Sequence, residues 1–456
     1  MNIRTKGIAA AFAVLCIGTA FAEATIDKVV VRQNWPWSPD VKIEFALTDV
    51  SEAVDIGVTL KADGVLLPVT DSDIKGKRFG LTQNGVYTLT VDTLKAFPKG
   101  NKIINLQADV TVAPQSDKSQ EVIYKIFDLA DSKHAVTDVT RGALLNGEWG
   151  SVETDFGRIG PGYATALDDV IIWTGVTNDI AYKTTKLVMR KIPAGSFKGF
   201  AFGGTPPAAN NMTWTNDYWM GVFELTQKQI TLVGYGSDNG GMTKKWVTKG
   251  DAYPAHAVHN YIMYNAGQGR SAVQGESGQG FFHKLRNLFK DGENYPYDFE
   301  LPTIVQWNRA CRAGTESYYY DGLPKPETTA ENDQIAALGL YSYNGGVEGG
   351  VSNVVEVGSF RPNAYGLYDT MGNVWEILRD NGWNFSWTGG NNVTGSIGKS
   401  NDGYYYGGAF DSDGNDFATG LNSLHKQIHG ASSNLLNGGF RVCMQDMAYG
   451  LQMVGK

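Results

Sequence analysis

The sequence predicts a two-part α+β protein, in which a small all-β sandwich domain precedes a larger α+β domain rich in loops. Short apolar runs in residues 24–115 alternate or are β-branched, and turn residues separate them. From about residue 181 the runs are brief, the intervals between them are long, and a few helical patterns occur. The chain has 56 Gly, 11 Trp and 22 Tyr. This composition favours long structured loops held in place by aromatic side chains, rather than a helical bundle.

The length and composition are those of a soluble multidomain protein. A chain of 456 residues is long enough for two or three domains, each with its own core. Hydrophobic content of 42% and charged content of 19% are ordinary for globular proteins. The net charge is −8 and no basic run occurs, so the sequence argues against a nucleic-acid partner.

Residues 1–22 have the pattern of a signal peptide. Arg4 and Lys6 precede a short apolar run, and Ala20-Phe21-Ala22 is a small-x-small cleavage site. Cleavage after Ala22 would take the net charge to −10, because both removed charges are basic. We therefore expect a secreted, periplasmic or cell-surface protein without a transmembrane anchor, since no other stretch of the sequence is suited to cross a membrane.

The predicted sandwich, residues 23–115, is of immunoglobulin-like type, and Asn84-Gly85 is a signal for a two-residue hairpin. It contains no His or Cys, which favours a packing or spacer role. The predicted strands are Ile26–Val31, Val41–Leu47, Val54–Leu60, Val65–Val69, Val86–Val91 and Ile103–Val110.

Residues 116–184 are linker strands whose domain the sequence leaves open, with strands predicted at Val122–Phe127 and Val170–Trp173. The α+β domain follows at 185–445, and 446–456 is a tail. Helices are predicted from Thr226 to Val233, within Gly280–Asp291, and after the capping box at Thr303, where Gly314 ends the helix.

The segment 366–376, Gly-Leu-Tyr-Asp-Thr-Met-Gly-Asn-Val-Trp-Glu, is the most distinctive of the chain. Its two glycines permit backbone conformations that other residues avoid. Asp369, Asn373 and Glu376 supply oxygen atoms, which suit a hard cation such as calcium. On residue types alone, a tight turn whose polar groups satisfy their own backbone is the simpler interpretation.

A series of separate motifs follows in a fixed order along the second part of the chain. They are Leu187–Phe197, Tyr218–Thr226, Leu301–Thr303 with Gln306-Trp307, Cys311–Thr315, Val357–Asp369, Met371–Glu376, Gly407–Phe410 and Gly439–Val442. Together they resemble the sulfatase-modifying-factor family, whose best-known member is the formylglycine-generating enzyme. The resemblance covers about residues 185–445 and implies the loop-rich, C-type-lectin-like fold of that family.

The resemblance implies a calcium ion at the 366–376 turn. Asp369 and Glu376 would bind it through side-chain oxygens, and Gly372 and Val374 through backbone carbonyls. A second calcium site would begin at Asn344, although its acidic partner position holds Gly349.

The resemblance also implies a disulfide between Cys311 and Cys443, which agrees with the oxidising compartment of an exported protein. Cys443 lies one residue later than in the family pattern, and a one-residue shift on a strand changes the face.

The family's oxidases bind copper(I) through two cysteines that follow the glycine pair of the Gly407–Phe410 motif. Here the two positions hold Ser412 and Phe417, and no cysteine lies between Cys311 and Cys443. Copper(I) needs soft thiolate ligands. We therefore expect no copper and no formylglycine synthesis by that mechanism.

Two functions remain open, with a purely structural surface protein as a third. In the first, the late loops bind an unknown polar ligand, a glycan or a protein surface through hydrogen-bonding groups and aromatic anchors. In the second, the protein is an enzyme with a rewired metal site in the 405–430 loop, a segment that includes the pair His425 and His429. The candidate surface residues are Asp411, Asp413, Asn415, Asp416, His425, His429, Trp383 and Trp387.

Overall fold

The computed structural model describes most of the chain. The described residues are 23–33, 37–92, 103, 105–154, 170–198, 211–234, 245–258, 280–316, 319–320, 333–348, 351–379, 389–393, 405–412 and 437–446. The predicted signal peptide and tail residues 447–456 lie outside these ranges. No helix among the described residues is long and apolar enough to cross a bilayer.

Strands dominate the described structure, and the helices are few and short. The strands are β1 Thr25–Gln33, β2 Asp40–Thr48, β3 Val54–Ala62, β4 Val65–Leu66, β5 Ile74–Lys75, β6 Gly85–Asp92, β7 Leu106–Pro114, β8 Val122–Asp128, β9 Val136–Thr140, β10 Lys186–Ile192, β11 Gly195–Lys198, β12 Asn211–Trp214, β13 Tyr218–Gly221, β14 Tyr297–Glu300, β15 Val347–Glu348, β16 Val351–Ser352, β17 Trp375–Ile377, β18 Gly390–Asn391, β19 Tyr405–Tyr406, β20 Gly438–Gly439 and β21 Cys443–Asp446. The helices are α1 Asp117–Gln120, α2 Arg141–Leu145, α3 Ala181–Thr184, α4 Gln227–Leu232, α5 Phe281–Leu288, α6 Ile304–Arg312 and α7 Asp333–Ala336.

The chain divides into two compact units. The first contains the described residues up to 69 and those from 76 to 116, and the second contains 70–75 and those from 117 onward. In the first unit, β1, β2 and β6 pair in that order, and β4, β3 and β7 form a second sheet. Alternate residues of β2 are fully buried, namely Val41, Ile43, Phe45 and Leu47, as expected for a strand with one face on a core.

One turn prediction in the first unit is wrong. The Asn84-Gly85 pair does not form a two-residue hairpin, because Gly85 already pairs with Leu47 as the first residue of β6. The Asn84 side chain instead accepts a hydrogen bond from the backbone N–H of Val50 at 2.9 Å. The two-residue hairpin lies at Asp63-Gly64, where both residues have positive φ, of 50° and 84°.

A six-stranded antiparallel sheet organises the second unit, in the order β14-β21-β13-β10-β8-β9. Strands β8 and β9 come from the segment whose domain the sequence left open, and the pairing of β8 with β10 joins that segment to this sheet. The strand predicted at Val170–Trp173 does not form. Only Ile172 makes an isolated bridge, to Glu153, and a 3₁₀ turn Thr174–Thr177 follows.

Both faces of the sheet are covered. Because side chains alternate along a strand, Trp219 and Met444 belong to one apolar cluster, while Met220 and Cys443 belong to the other. Helix α5 packs into the first cluster through Phe281, Phe282 and Leu285, and helix α6 packs into the second through Ile304, Trp307 and Cys311.

Helix α6 begins as the sequence predicts. The Thr303 hydroxyl accepts from the backbone N–H of Gln306 at 3.3 Å, and the Gln306 side chain accepts from that of Thr303 at 3.0 Å. The capping box therefore satisfies two backbone donors that the first turn leaves open. The left-handed residue that ends the helix is Ala313, with φ of 47°, followed by Gly314 at φ of 84°.

Close backbone approach around the 366–376 turn gives the first testable prediction. A Cβ atom on Gly339 would overlap the carbonyl oxygen of Met371, so Gly339→Ala should cost about 3 kcal/mol in the free energy of unfolding. The control is Gly147→Ala. Gly147 has a φ of +76°, which is strained for alanine, but open space surrounds it. This substitution should therefore cost about 1 kcal/mol in the free energy of unfolding. Denaturant melts of the two variants measure the difference, and equal costs would contradict the predicted packing.

Candidate functional site

Two non-glycine residues of the 366–376 turn, like its two glycines, have a left-handed backbone conformation. Asp369 and Asn373 have φ of 55° and 59°, and Gly366 and Gly372 have φ of 76° and 79°. Such a conformation costs a non-glycine residue free energy unless its surroundings enforce it. Here both non-glycine side chains are buried, so the surroundings determine the conformation.

Buried hydrogen bonds of Asn373 and Glu224 stabilise the turn. The Asn373 amide donates to the carboxylate of Glu224 at 2.7 Å, and its carbonyl accepts from the backbone N–H of Val355 at 3.1 Å. Glu224 also accepts from the backbone N–H of Val374 at 3.1 Å. The sequence analysis did not identify Glu224 as a functional residue. The available signal was its position between Phe223 and Leu225, because a carboxylate buried among apolar residues needs hydrogen-bonding or charged partners.

Arg441 and Glu376 form a fully buried ion pair beside the turn. The guanidinium donates to Glu376 with distances of 2.8 to 3.2 Å, and each residue's side chain is 1% exposed. The Trp307 indole N–H donates to the same carboxylate at 2.6 Å. The remaining Arg441 donors reach the backbone carbonyls of Gly221, Val222 and Tyr368 at 2.7 to 2.8 Å.

The electrostatics follow from three buried carboxylates, Glu224, Asp369 and Glu376, around this guanidinium. Burial, followed by the charges of Asp369 and Glu376, raises the pKa of Glu224 well above its ordinary value. Burial also raises the pKa of Asp369, to about 6. Burial alone would lower the pKa of Arg441, but the attraction of Glu376 outweighs it and the pKa is raised.

The residues predicted to bind calcium differ in how well they suit a cation. One oxygen of Asp369 accepts from the backbone N–H of Gly358 at 2.6 Å, while Oδ1 is buried without a hydrogen-bond partner. An orphaned buried carboxylate oxygen fits a cation ligand. Glu376 does not fit, because both of its oxygens already accept from Arg441 or Trp307. Gly372 and Val374, the predicted backbone ligands, belong to the same 366–376 segment.

Asn344, predicted to begin a second calcium site, uses its amide locally. Its Oδ1 accepts from the backbone N–H of Tyr341 at 2.7 Å, and its Nδ2 donates to the carbonyl of Gly339 at 2.8 Å. The side chain therefore caps the 3₁₀ turn Ser342–Asn344. Gly349 lies outside the described residues.

The disulfide implied by the resemblance is not formed in the structure. Cys311 and Cys443 are both buried free thiols. They lie in the same apolar cluster, but the Cys311 thiol donates to the carbonyl of Thr370 at 3.7 Å. Burial raises the pKa of Cys311 to about 11 and also raises that of Cys443, so neither sulfur is an activated thiolate.

Ser412 is a structural residue of the turn after Gly407–Phe410. The hydroxyl is buried and accepts from the backbone N–H of Ala409 at 3.0 Å. The Ser412 carbonyl accepts from both the backbone N–H and the hydroxyl of Ser342, at 3.1 and 2.7 Å. The serine is thus committed to holding two chain segments together.

Asp411, next to Ser412, is exposed. It is the one member of the candidate surface within the described residues. Its Oδ1 accepts from the amide of Asn437 at 2.6 Å, a partner that sequence reasoning did not single out. The other predicted surface residues, Asp413, Asn415, Asp416, His425, His429, Trp383 and Trp387, lie outside the described residues, as does Phe417. Within the described part of the chain, no three His, Cys, Asp or Glu side chains are grouped to hold a metal.

Comparison with known proteins assigns the family. The profile described as "Sulfatase-modifying factor enzyme 1-like domain" matches residues 181–445, more than half of the chain. The mostly-sheet structure with few helices is consistent with that fold. The chain belongs to the sulfatase-modifying-factor, or formylglycine-generating-enzyme-like, family, and the resemblance read from the motifs is confirmed.

The relatives match over short stretches. The formylglycine-generating enzyme of Mus musculus is 31% identical over 80 residues, 18% of this chain and 22% of that protein. The enzyme of Thermomonospora curvata is 31% identical over 87 residues, 19% of this chain and 28% of that protein. The chain therefore spans about a quarter of the length of these relatives.

Two solved structures are distantly similar. Treponema denticola variable protein 1 has 19% identity and a TM-score of 0.39, covering 57% of this chain and 95% of its own. PvdO from Pseudomonas aeruginosa has 17% identity and a TM-score of 0.40, covering 57% and 94%.

The buried ion pair gives the second prediction. Arg441→Met should destabilise the protein by about 3–5 kcal/mol, because it leaves Glu376 buried without its counter-charge. The control Lys198→Met removes an exposed partner of Glu316 and should cost less than about 1 kcal/mol. Thermal or denaturant unfolding measures both. A similar small cost for the two variants would show that the pair is not buried in solution.

Proposed function

We propose that this protein is an exported ligand-binding member of the family and not a formylglycine-generating oxidase. The observation that carries the proposal is Ser412. It stands where the resemblance places the first copper-binding cysteine, and its hydroxyl is buried in a hydrogen-bonded turn. A serine hydroxyl is too hard a ligand for copper(I), and this one also lacks the exposure that a reacting group needs.

The ligand-binding part of the proposal is supported by the surface next to this turn. Asp411 is exposed beside the buried Ser412, and it lies within residues 382–437, a segment rich in Asn, Asp, Ser, Tyr and Trp. Such residues combine adaptable hydrogen bonding with rigid aromatic contacts. A polar ligand, a glycan or a protein surface is the expected partner class.

The test combines metal content with turnover. The purified, exported protein, prepared without added metal, should contain no stoichiometric copper, iron or zinc by elemental mass spectrometry. After copper(I) loading it should not convert a cysteine-containing peptide to the formylglycine product, with an active formylglycine-generating enzyme as the positive control. Stoichiometric copper, iron or zinc, or product formed above the metal-free control, would instead favour a rewired enzyme.

We also propose that calcium stabilises the 366–376 turn, with a ligand set smaller than the sequence predicted. Asp369 would hold the ion through its orphaned Oδ1, with the backbone oxygens of Gly372 and Val374, while Glu376 stays with Arg441. A bound divalent cation would offset the negative charge of the three buried carboxylates that the single guanidinium does not balance. Its role would be structural.

The calcium proposal predicts a change in thermal stability. A ligand at 100 times its Kd adds about 2.7 kcal/mol to the free energy of unfolding, so wild type should melt several degrees higher in calcium than in chelator. Asp369→Asn should remove the calcium dependence, whereas the control Asp298→Asn, a carboxylate paired with Arg286, should keep it. Identical wild-type melts in calcium and in chelator would refute the proposal.

The pKa of Asp369 predicts a pH dependence in chelator. The folded-state pKa of about 6 lies above the ordinary 3.8, so between these values the folded protein holds a proton that the unfolded chain releases. The free energy of unfolding should therefore fall as the pH rises from about 4 to about 6. Asp369→Asn, which cannot ionise, should make this fall shallower, the remainder being due to the raised pKa of Glu224, and an unchanged slope would contradict the assigned burial.

We further propose that residues 23–115 are an immunoglobulin-like sandwich acting as a spacer, and that residues 1–22 are removed on export. The two sheets of the first unit and the contact between β1 and β7 support the sandwich. N-terminal sequencing of the exported protein should begin at Glu23.

A further inference from the structure

Strand β7 is a long edge strand of the first unit. Among the edge strands of the described sheets, β1 and β7 have nine residues each, whereas the others have five or fewer. An edge strand carries a row of backbone N–H and C=O groups that its own sheet does not pair. Proteins protect such edges with bulges, charged side chains, proline or short length, because an unprotected edge can pair with another chain.

Strand β1 is protected in two of these ways. Its register against β2 shifts between Asp27 and Val30, where Lys28 has a φ of 50°, so an irregularity interrupts the strand. Lys28 and Arg32 also place two exposed basic side chains along it. A second chain that paired with β1 would therefore meet a distorted backbone and two positive charges.

Strand β7 has neither the bulge nor the basic residues. Its register against β3 is unbroken over all nine residues. Its one charged residue, Asp109, already accepts a hydrogen bond from Lys61 of β3 at 2.7 Å, and its one proline, Pro114, is the last residue. Strand β1 contacts β7, but β1 pairs with β2 and not with β7. Within the described part of the first unit, β7 is therefore a long and regular edge without a strand partner on one side.

The core face of β7 also leaves apolar surface partly open. Directly paired residues share a face of a sheet, so the residues of β7 that pair with the buried Ile56 and Leu60 of β3 belong to the core face. The four apolar residues of this face are only half-buried, namely Leu106, Ala108, Val110 and Val112. A strand added beside β7 would place its own alternate side chains next to this row and bury more of its apolar area.

We propose that two copies of this protein associate through their β7 edges, antiparallel to each other about a twofold axis at Val110. The two sheets β4-β3-β7 then form one continuous six-stranded sheet. When all nine residues overlap, Val110 pairs with Val110 of the second copy, and Ala108 pairs with Val112. The core-face row thus continues as apolar pairs across the interface. This association goes beyond the proposed ligand-binding function and is independent of it.

The charge pattern on the outer face of β7 favours a second copy in this register. Full overlap places the exposed Asp109 of each copy opposite the exposed Thr111 of the other, where the threonine hydroxyl can donate to the carboxylate. With the axis moved to Asp109, the two Asp109 carboxylates would lie opposite each other, and like charges directly opposite destabilise a strand pair. The register with the largest overlap is thus also one without a like-charge pair.

The test measures the association state of the full mature chain by sedimentation equilibrium over a range of protein concentrations. One pair of edge strands is a small interface of the weak class, so a monomer–dimer equilibrium with a Kd of about 10–100 μM is expected. Hydrogen exchange should show that the β7 amides become better protected as the dimer forms, because half of them gain a hydrogen-bond partner. A chain that stays monomeric at ten times the upper Kd, or a dimer without added protection in β7, would overturn the proposal.

Opposite charges at position 111 should have opposite effects on the dimer. Thr111→Asp sets two carboxylates against each other at two places in the interface and should raise the Kd about threefold or more, whereas Thr111→Lys should lower it. The controls Val86→Asp and Val86→Lys change the net charge equally at an exposed position of β6 and should leave the Kd unchanged. Weaker association in both Thr111 variants, or equal changes at Val86, would rule out this interface.

A double variant tests the register itself. Asp109→Thr combined with Thr111→Asp keeps the net charge and restores a carboxylate opposite a hydroxyl in the twofold pair, so the Kd should return to the wild-type value. The lost contact with Lys61 is an exposed ion pair and contributes little to folding. Association as weak as that of Thr111→Asp alone would show that residues 109 and 111 do not meet across the interface.

Discussion

The buried pair of Arg441 and Glu376 is the interaction on which the second unit depends. One guanidinium binds the carboxylate at the end of the 366–376 turn and the carbonyls of Gly221, Val222 and Tyr368. It therefore joins three segments that are far apart in sequence. Buried pairs often add little net stability, because desolvation offsets the attraction. Here the pair instead fixes how the three segments align with one another, because the N–H donors of the planar guanidinium point in fixed directions.

The carboxylate excess around Arg441 sets the chemistry of the turn. Glu224 uses both oxygens on the backbone and side chain of the turn, and Glu376 uses both on Arg441 and Trp307. Asp369 alone has an oxygen to spare. Arg441 and Lys183 favour its charged form, and a proton or a cation would reduce the remaining cost of burying that charge. Calcium binding and the raised pKa of Asp369 would both follow from one excess of buried negative charge.

Local signals were predictable from the sequence, whereas long-range partners were not. The capping box at Thr303 depends on residues three apart, and it forms as predicted. The Asn84-Gly85 signal was equally local, but the pairing of Gly85 with Leu47 overrode it. The roles of Arg441 and Asn437 depend on partners more than 20 residues away, which no spacing rule identifies. The motifs indicated the family because they combine many weak signals in a fixed order.

The Gly407–Ser412 turn directs two neighbouring side chains to opposite sides of the chain. Its backbone directs residue 412 inward, where the hydroxyl closes the turn onto Ala409, and directs residue 411 outward, where the carboxylate meets Asn437. A cysteine at 412 would be a soft ligand, but a serine there becomes part of the scaffold. Under the proposed function, the part of this turn that a ligand would meet is the exposed carboxylate of Asp411.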